Sequence, residues 1–137
     1  MSITSEEKEL VTQSFLKLSI DIDQTAATFY KHLFDTFPDS RPMFTNTNMR
    51  EQGRILMRML DTLVEILPNQ DAISEHMSVL GKRHQGYGVE IGHYRSFGEA
   101  LVWTVKHELG ESYRPEIGAA WAKAFQLLAD AAIATYD

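Results

Sequence analysis

The chain has 137 residues, of which 44% are hydrophobic and 23% are charged, and it contains no cysteine. This length and composition are typical of one globular domain over 1–137, and they exclude a disordered chain. The missing cysteine excludes disulfides, thiolate zinc sites and a thiol nucleophile. A net charge of -6 argues against nucleic-acid binding, and no apolar run approaches the roughly 20 residues of a membrane span. With no secretory signal pattern at the start, we expect a cytoplasmic protein.

Helical patterns occupy the first part of the chain. Thr4 and Glu7 have the spacing of a capping box, which predicts the start of the first helix. A second helix is predicted over about 21–37, where apolar residues recur every three to four positions. Two prolines then predict a short 3₁₀ piece that ends at Phe44.

Four further helices are predicted in the second part of the chain. One runs over about 49–67 with an inward stripe of Ile55, Leu56, Met59, Leu60 and Leu63. The next begins at Asp71 as its cap, and Gly86, Gly88 and Gly92 interrupt the segment after it. The last two are predicted over about 94–109 and 115–136. The sequence therefore predicts an all-α fold of six major helices and one short helix at a corner.

A few polar residues fall on apolar helix faces, where a core residue would be expected. His84 continues a stripe of Ile73, Met77 and Leu80 at intervals of four, three and four. Tyr30 and Gln52 lie on the inward faces of the second and third helices. Periodicity alone leaves two interpretations open for each of them, a hydrogen-bonded core residue or a ligand of a bound group.

Other chemistries find no support in the sequence. His32, His76 and His107 lie off the apolar stripes, and no HExxH pair occurs. The glycines at 86, 88 and 92 do not follow a strand as a phosphate-binding loop requires, and Ser96-Phe97-Gly98 lacks the strand of a nucleophile elbow.

Several segments, taken in order, resemble the globin family, in particular bacterial single-domain globins, the globin domain of flavohaemoglobins and neuroglobin-like proteins. They are Phe29-Tyr30-Lys31-His32-Leu33-Phe34 with Pro38 and Phe44, Leu80-Gly81-Lys82-Arg83-His84 with Val89, His93-Tyr94 with Phe97-Gly98, and Ala120-Trp121-Ala122-Lys123-Ala124-Phe125. The resemblance implies a globin fold in which six helices pack three over three around haem b, that is, protohaem IX with its iron.

The resemblance also implies roles for particular residues. By the resemblance, His84 would be the proximal ligand of the iron. His93 is the second choice, because it also lies near the end of the fourth-helix region. The residues implied to contact the haem are Phe44 and Leu56 on the distal side, and Leu80, Val89, Tyr94 and Phe97 on the proximal side.

Tyr30 and Gln52 match the distal pair that donates hydrogen bonds to a polarised diatomic ligand. In flavohaemoglobins a tyrosine and a glutamate support the proximal histidine. Tyr94 matches that tyrosine, but Tyr136 stands at the glutamate position, with Asp137 or Glu99 as possible substitutes.

Two functions are therefore open. The first, which we favour, is reversible binding of oxygen, NO or CO, as in an oxygen-transport or storage protein. The second is nitric oxide dioxygenation with electrons from a separate reductase. A sensor would need an output partner, and a bilin-binding antenna protein would need a cysteine for attachment.

Overall fold

The computed structural model describes residues 2–137 and contains only helices, turns and loops over that range. The α-helices are α1 (Ser5–Leu18), α2 (Ile22–Thr36), α3 (Met49–Ile66), α4 (Gln70–Gly86), α5 (Ile91–Leu109) and α6 (Pro115–Ile133). Three 3₁₀ helices join them, at Ser19–Asp21, Pro38–Phe44 and Gly110–Ser112. The all-α class, the six long helices and the short corner helix at Pro38–Phe44 are confirmed.

The six α-helices form two layers of three. In one layer α5 packs against both α2 and α6, and in the other α3 packs against both α1 and α4. The layers meet where α2 contacts α3 and where α6 contacts α1 and α4. Within residues 2–137, no helix has both the length and the apolar character needed to cross a membrane.

Side-chain caps start the first four α-helices. The capping box predicted at Thr4 is present, because its hydroxyl accepts from the Glu7 amide at 3.1 Å while its own amide donates to the Glu7 carboxylate at 2.9 Å. Asn69, not Asp71, caps α4, since the Asn69 side chain accepts from the Ala72 amide at 3.0 Å. Asp71 lies in the first turn, where its charge suits the helix dipole.

The start of α5 differs from the prediction. It begins at Ile91, three residues before the predicted start at Tyr94, and Gly92 lies inside its first turn. His93 supplies the reason, because its Nδ1 accepts the Glu90 amide at 2.8 Å and so satisfies an amide that the new helix leaves unpaired. The predicted end of α6 was also wrong, since the helix stops at Ile133 and residues 134–135 form a turn.

Two glycines allow neighbouring helices to approach closely. A Cβ at Gly53 of α3 would lie 2.7 Å from the Cβ of Ala26 of α2. A Cβ at Gly81 of α4 would clash with the backbone oxygen of Ala132 in α6. These crossings hold α3 against α2 and α4 against α6, and a cavity lies between the two helix pairs.

Candidate functional site

A cavity of about 500 Å³ lies in the middle of the molecule, and its walls are mostly apolar. All nine side chains that the sequence singled out line it: Tyr30, Phe44, Gln52, Leu56, Leu80, His84, Val89, Tyr94 and Phe97. They come from α2 to α5, the corner helix and the α4–α5 turn. The structure therefore brings together residues that lie up to 67 positions apart in the sequence.

Tyr30 and Gln52 form a hydrogen-bonded pair at one wall. The Gln52 amide Nε2 donates to the Tyr30 hydroxyl oxygen at 3.2 Å, so the Tyr30 proton is left for another acceptor. Burial raises the pKa of Tyr30 to about 12, an effect that the hydrogen bond from Gln52 opposes. Tyr30 is therefore protonated at neutral pH and is available as a donor.

Aromatic contacts hold the Tyr30 ring in place. The ring packs edge-on against Phe44, with 5.4 Å between the ring centroids, and against Phe29 at 5.0 Å. Phe29 in turn packs against Phe97 of α5 at 4.6 Å. Because the Tyr30 side chain has only two torsions and these neighbours restrict them, its hydroxyl is a preorganised donor.

His84 faces the cavity from the last turn of α4 with its tautomer fixed. Its Nδ1 lies 2.8 Å from the Leu80 carbonyl oxygen, which can only accept, so Nδ1 carries the proton. The lone pair of the ring is then on Nε2. Burial lowers the pKa of His84, and the hydrogen bond to Leu80 opposes that shift. A neutral imidazole with a free Nε2 lone pair is the form that binds a metal ion.

His93, the second histidine on the cavity wall, has the opposite tautomer. Its Nδ1 accepts the hydrogen bond from the Glu90 amide at 2.8 Å, so the proton of the neutral ring is on Nε2. An Nε2 that carries a proton has no lone pair for a metal. Between the two histidines that line the cavity, the hydrogen bonds thus favour His84 as a ligand.

Tyr94 and Tyr136 pair with each other next to His84. The Tyr136 hydroxyl lies 2.7 Å from the Val89 carbonyl and 3.2 Å from the Tyr94 hydroxyl. Because a carbonyl cannot donate, Tyr136 gives its proton to Val89 and Tyr94 gives its own to Tyr136. Burial, with the Tyr136 hydrogen bond, raises the pKa of Tyr94 above its ordinary value. The Tyr94 hydroxyl therefore bonds to Tyr136, in the segment after α6, and not to His84.

The two carboxylates considered as substitutes for a glutamate are engaged elsewhere. Glu99 pairs with Arg95 at 3.5 Å, and Asp137 pairs with Lys82 at 3.2 Å. In the part of the chain that the structure describes, the polar partner of the His84 ring is the Leu80 carbonyl.

The remaining predicted residues form apolar parts of the cavity wall. Leu56 is fully buried, Leu80 and Val89 are half-buried, and Ile55, predicted to face the core, is half exposed at the cavity rim. Ser96 lines the same cavity but was not singled out from the sequence. Its position three residues after His93, on the same helix face, was the available signal.

Comparison with known proteins gives matches to proteins described as Flavohemoprotein. The protein from Bacillus subtilis (strain 168) is 28% identical over 108 residues, which cover 77% of this chain and 27% of that protein. The protein from Rhizobium meliloti (strain 1021) is 30% identical over 104 residues, which cover 74% of this chain and 26% of that protein. The chain thus spans about a quarter of the length of these relatives.

Solved structures share the fold over the whole chain. Ferric Aplysia limacina myoglobin superposes with a TM-score of 0.88 at 22% identity, covering 99% of this chain and all of that one. Deoxy haemoglobin from Dasyatis akajei superposes with a TM-score of 0.81 at 18% identity over the full length of both chains. The predicted globin fold is confirmed. The Globin family model matches residues 27–132, most of the chain, and the protein belongs to the globin family.

Proposed function

We propose that this globin domain binds one haem b in its central cavity and uses it to bind oxygen, and other diatomic gases such as NO and CO, reversibly. The observation that carries the proposal is the tautomer of His84, whose Nδ1–H bond to Leu80 leaves Nε2 as a free ligand on an apolar cavity. Haem iron, held by one such imidazole, supplies a coordination position for a diatomic gas.

The residues that line the cavity fit a haem group. Among residues 2–137 no three His, Asp or Glu side chains converge on one point, so a metal ion held by His84 must bring its other ligands with it. A macrocycle does this, and a volume of about 500 Å³ with mainly apolar walls lies within the usual size of cofactor pockets, roughly 300–1,000 Å³.

Different side chains of the cavity would hold the iron, contact the haem and donate a hydrogen bond to the gas molecule. His84 would hold the iron, while Leu80, Val89, Tyr94 and Phe97 line the cavity from α4, α5 and their connection, and Phe44 and Leu56 line it from the corner helix and α3. Tyr30 would donate its free proton to a polarised gas molecule, and Gln52 would hold the Tyr30 hydroxyl oriented. The apolar walls would keep water away from that hydrogen bond.

Nitric oxide dioxygenation is the alternative, in which nitric oxide, oxygen and one electron give nitrate and a separate reductase supplies the electron. The Tyr30–Gln52 pair suits both functions, and the flavohemoprotein relatives keep the second under consideration. The His84 ring, bonded to a carbonyl and not to a carboxylate, favours reversible binding because a carboxylate would make the ring a stronger electron donor. Nitrate formed per molecule of protein, with a surrogate reductase, separates the two.

The haem proposal is tested by absorption spectra of the purified protein and two variants. We expect a Soret band with one haem per chain, loss of most haem in His84→Ala, and recovery when imidazole is added. In His93→Ala, imidazole should change nothing, because the tautomer of His93 does not suit a ligand. A normal axial-ligand spectrum in His84→Ala together with imidazole rescue of His93→Ala would overturn the assignment.

A further inference from the structure

The contact between α2 and α3 determines where Gln52 lies relative to Tyr30. Three residues on one face of α2, Asp23, Ala26 and Tyr30, follow each other at intervals of three and four, and all of them contact α3. Ala26 lies against Gly53, and Tyr30 accepts the hydrogen bond from Gln52. Because Asp23 and Tyr30 lie on opposite sides of Ala26, a bond at Asp23 limits any rocking of α3 about the glycine contact.

Asp23 bonds to two arginines that flank Gln52 in the sequence. Arg54 Nε and Nη2 donate to the two carboxylate oxygens at 3.2 and 3.3 Å, and Arg50 Nη2 donates to one of them at 3.4 Å. Hydrogen bonding to Arg54 lowers the pKa of Asp23, an effect that desolvation opposes, so the carboxylate is charged at neutral pH. Single exposed ion pairs contribute little to stability, but a bidentate arginine in a network of three charges restricts geometry.

The first turn of α3, which carries Gln52, has few other anchors. Asn48 caps the helix with its side chain, and the Gln52 amide makes the first backbone bond of the helix, to the Asn48 carbonyl at 2.9 Å. Over residues 2–137, the hydrogen bonds that join α3 to α2 are the one at Tyr30 and those at Asp23. Helix ends fray unless tertiary contacts hold them, so the position of Gln52 depends on these bonds.

We propose that Asp23 is a positioning residue of the gas-binding site, which holds the first turn of α3 through Arg50 and Arg54 and so keeps Gln52 bonded to the Tyr30 hydroxyl. The proposal rests on the gas-binding function argued above and adds a residue that controls oxygen release. Asp23, Arg50 and Arg54 do not line the cavity, so none of them would touch the haem or the gas. Their effect on oxygen must pass through Gln52 and Tyr30.

The test is a double-variant cycle on the rate of oxygen release, measured by stopped flow. We expect Asp23→Asn, which removes the charge, to speed oxygen release by about two- to fivefold when Gln52 is present. In Gln52→Leu the same change should alter the rate by less than about 1.5-fold, because the bond through which Asp23 acts is already lost. Asp35→Asn, which breaks another exposed ion pair of α2, with Lys31 at 2.6 Å, is the matched control and should leave the rate unchanged.

Salt provides a second readout that a general loss of stability would not produce. Because all three charged side chains are partly exposed, salt screens their attraction, and oxygen release from the wild type should speed up as the NaCl concentration is raised. The rate in Asp23→Asn should not respond to salt.

Three results would overturn the proposal: an unchanged rate in Asp23→Asn, an equal acceleration with and without Gln52, or a wild-type rate that does not depend on salt. If the wild type binds neither haem nor oxygen, the proposed function itself fails, and so the two failures are distinguishable.

Discussion

At the scale of single residues, the pair Tyr30 and Gln52 shows how one hydrogen bond assigns roles. Gln52 donates a hydrogen bond to the Tyr30 hydroxyl oxygen and so orients that hydroxyl, while the Tyr30 proton remains available to a ligand. Gln52 lies in the first turn of α3, after a loop, and has three side-chain torsions, whereas Tyr30 lies inside α2 among aromatic rings. A donor that is already ordered stabilises a bound ligand at a smaller entropic cost.

We therefore predict that Tyr30→Phe speeds oxygen release more than Gln52→Leu does. A hydrogen bond to a strongly polarised acceptor contributes about 1.5–3 kcal/mol, which corresponds to roughly ten- to a hundredfold in rate. Tyr30→Phe should accelerate release by at least about tenfold. Stopped-flow displacement of oxygen measures the release rate. The release rate of CO, which is less polar when bound, is the control and should change little in both variants. If Gln52→Leu speeds oxygen release more than Tyr30→Phe does, the prediction is wrong and Tyr30 only lines the cavity.

A second prediction concerns His84. Because its Nδ1–H donates to the Leu80 carbonyl, we expect the ring to behave as a neutral imidazole and not as an imidazolate. Resonance Raman spectra of the ferrous, ligand-free protein should then show a low iron–histidine stretching frequency. Tyr94→Phe should leave that frequency unchanged, since the Tyr94 hydroxyl bonds to Tyr136. A high frequency that falls in Tyr94→Phe would show that Tyr94 polarises the ring, and the dioxygenase function would gain support.

At the scale of helices, two glycines set the positions of α3 and α4, because the lack of a side chain lets each helix approach its neighbour closely. Gly53 lies against Ala26, and Gly81 lies against Ala132, at the two crossings that flank the cavity. Gly92, by contrast, has no atom within 4 Å of its would-be Cβ. An alanine is therefore expected to destabilise the fold at Gly53 or Gly81 but not at Gly92.

We predict that Gly53→Ala destabilises the fold by about 1–3 kcal/mol through overpacking. Gly92→Ala should stabilise it by about 0.5–1 kcal/mol, because alanine loses less backbone freedom in a helix. Urea unfolding measures both changes. The double variant Ala26→Gly with Gly53→Ala restores the space and should recover most of the stability lost in Gly53→Ala. No recovery in the double variant would mean that the contact with Ala26 does not cause the loss.

At the scale of the whole molecule, one ion pair joins the first and last helices. Lys123 of α6 lies 2.8 Å from the Glu7 carboxylate of α1, and both side chains are about three-quarters buried, with 28% and 26% exposed. The hydrogen bonds from Lys123 and from the Thr4 backbone lower the pKa of Glu7 from 4.5 to about 2. A lowered carboxyl pKa means that the folded state favours the ionised form.

This shift predicts a pH dependence of stability. The contribution of Glu7 is fully present above its ordinary pKa of 4.5 and is lost as the pH falls towards about 2. Glu7→Gln should therefore lower the free energy of unfolding at pH 7 and flatten its fall between pH 5 and pH 2. Glu6→Gln, at the exposed neighbouring position in α1, is the control and should keep the wild-type slope. Equal slopes for the wild type and Glu7→Gln would contradict this account.

The amino-acid sequence alone specifies which segments are helical and which polar residues face inward. Both properties are local, since the helix period places residues three and four apart on one face whatever the neighbours are. That is why periodicity and family resemblance together could select Tyr30, Gln52 and His84 as candidates. The helix boundaries at Asn69 and Ile91 were less predictable, because an asparagine and a histidine competed as caps with other signals nearby.

Tertiary packing sets the chemical role that each of those candidates can take. The tautomers of His84 and His93 depend on which backbone group each ring meets, and no periodicity carries that information. The hydrogen bond between Tyr94 of α5 and Tyr136, the residue 42 positions later, depends on how the segment after α6 packs against α5. Contacts between distant segments have no local signature in the sequence, so they arise only once the helices have packed around the cavity.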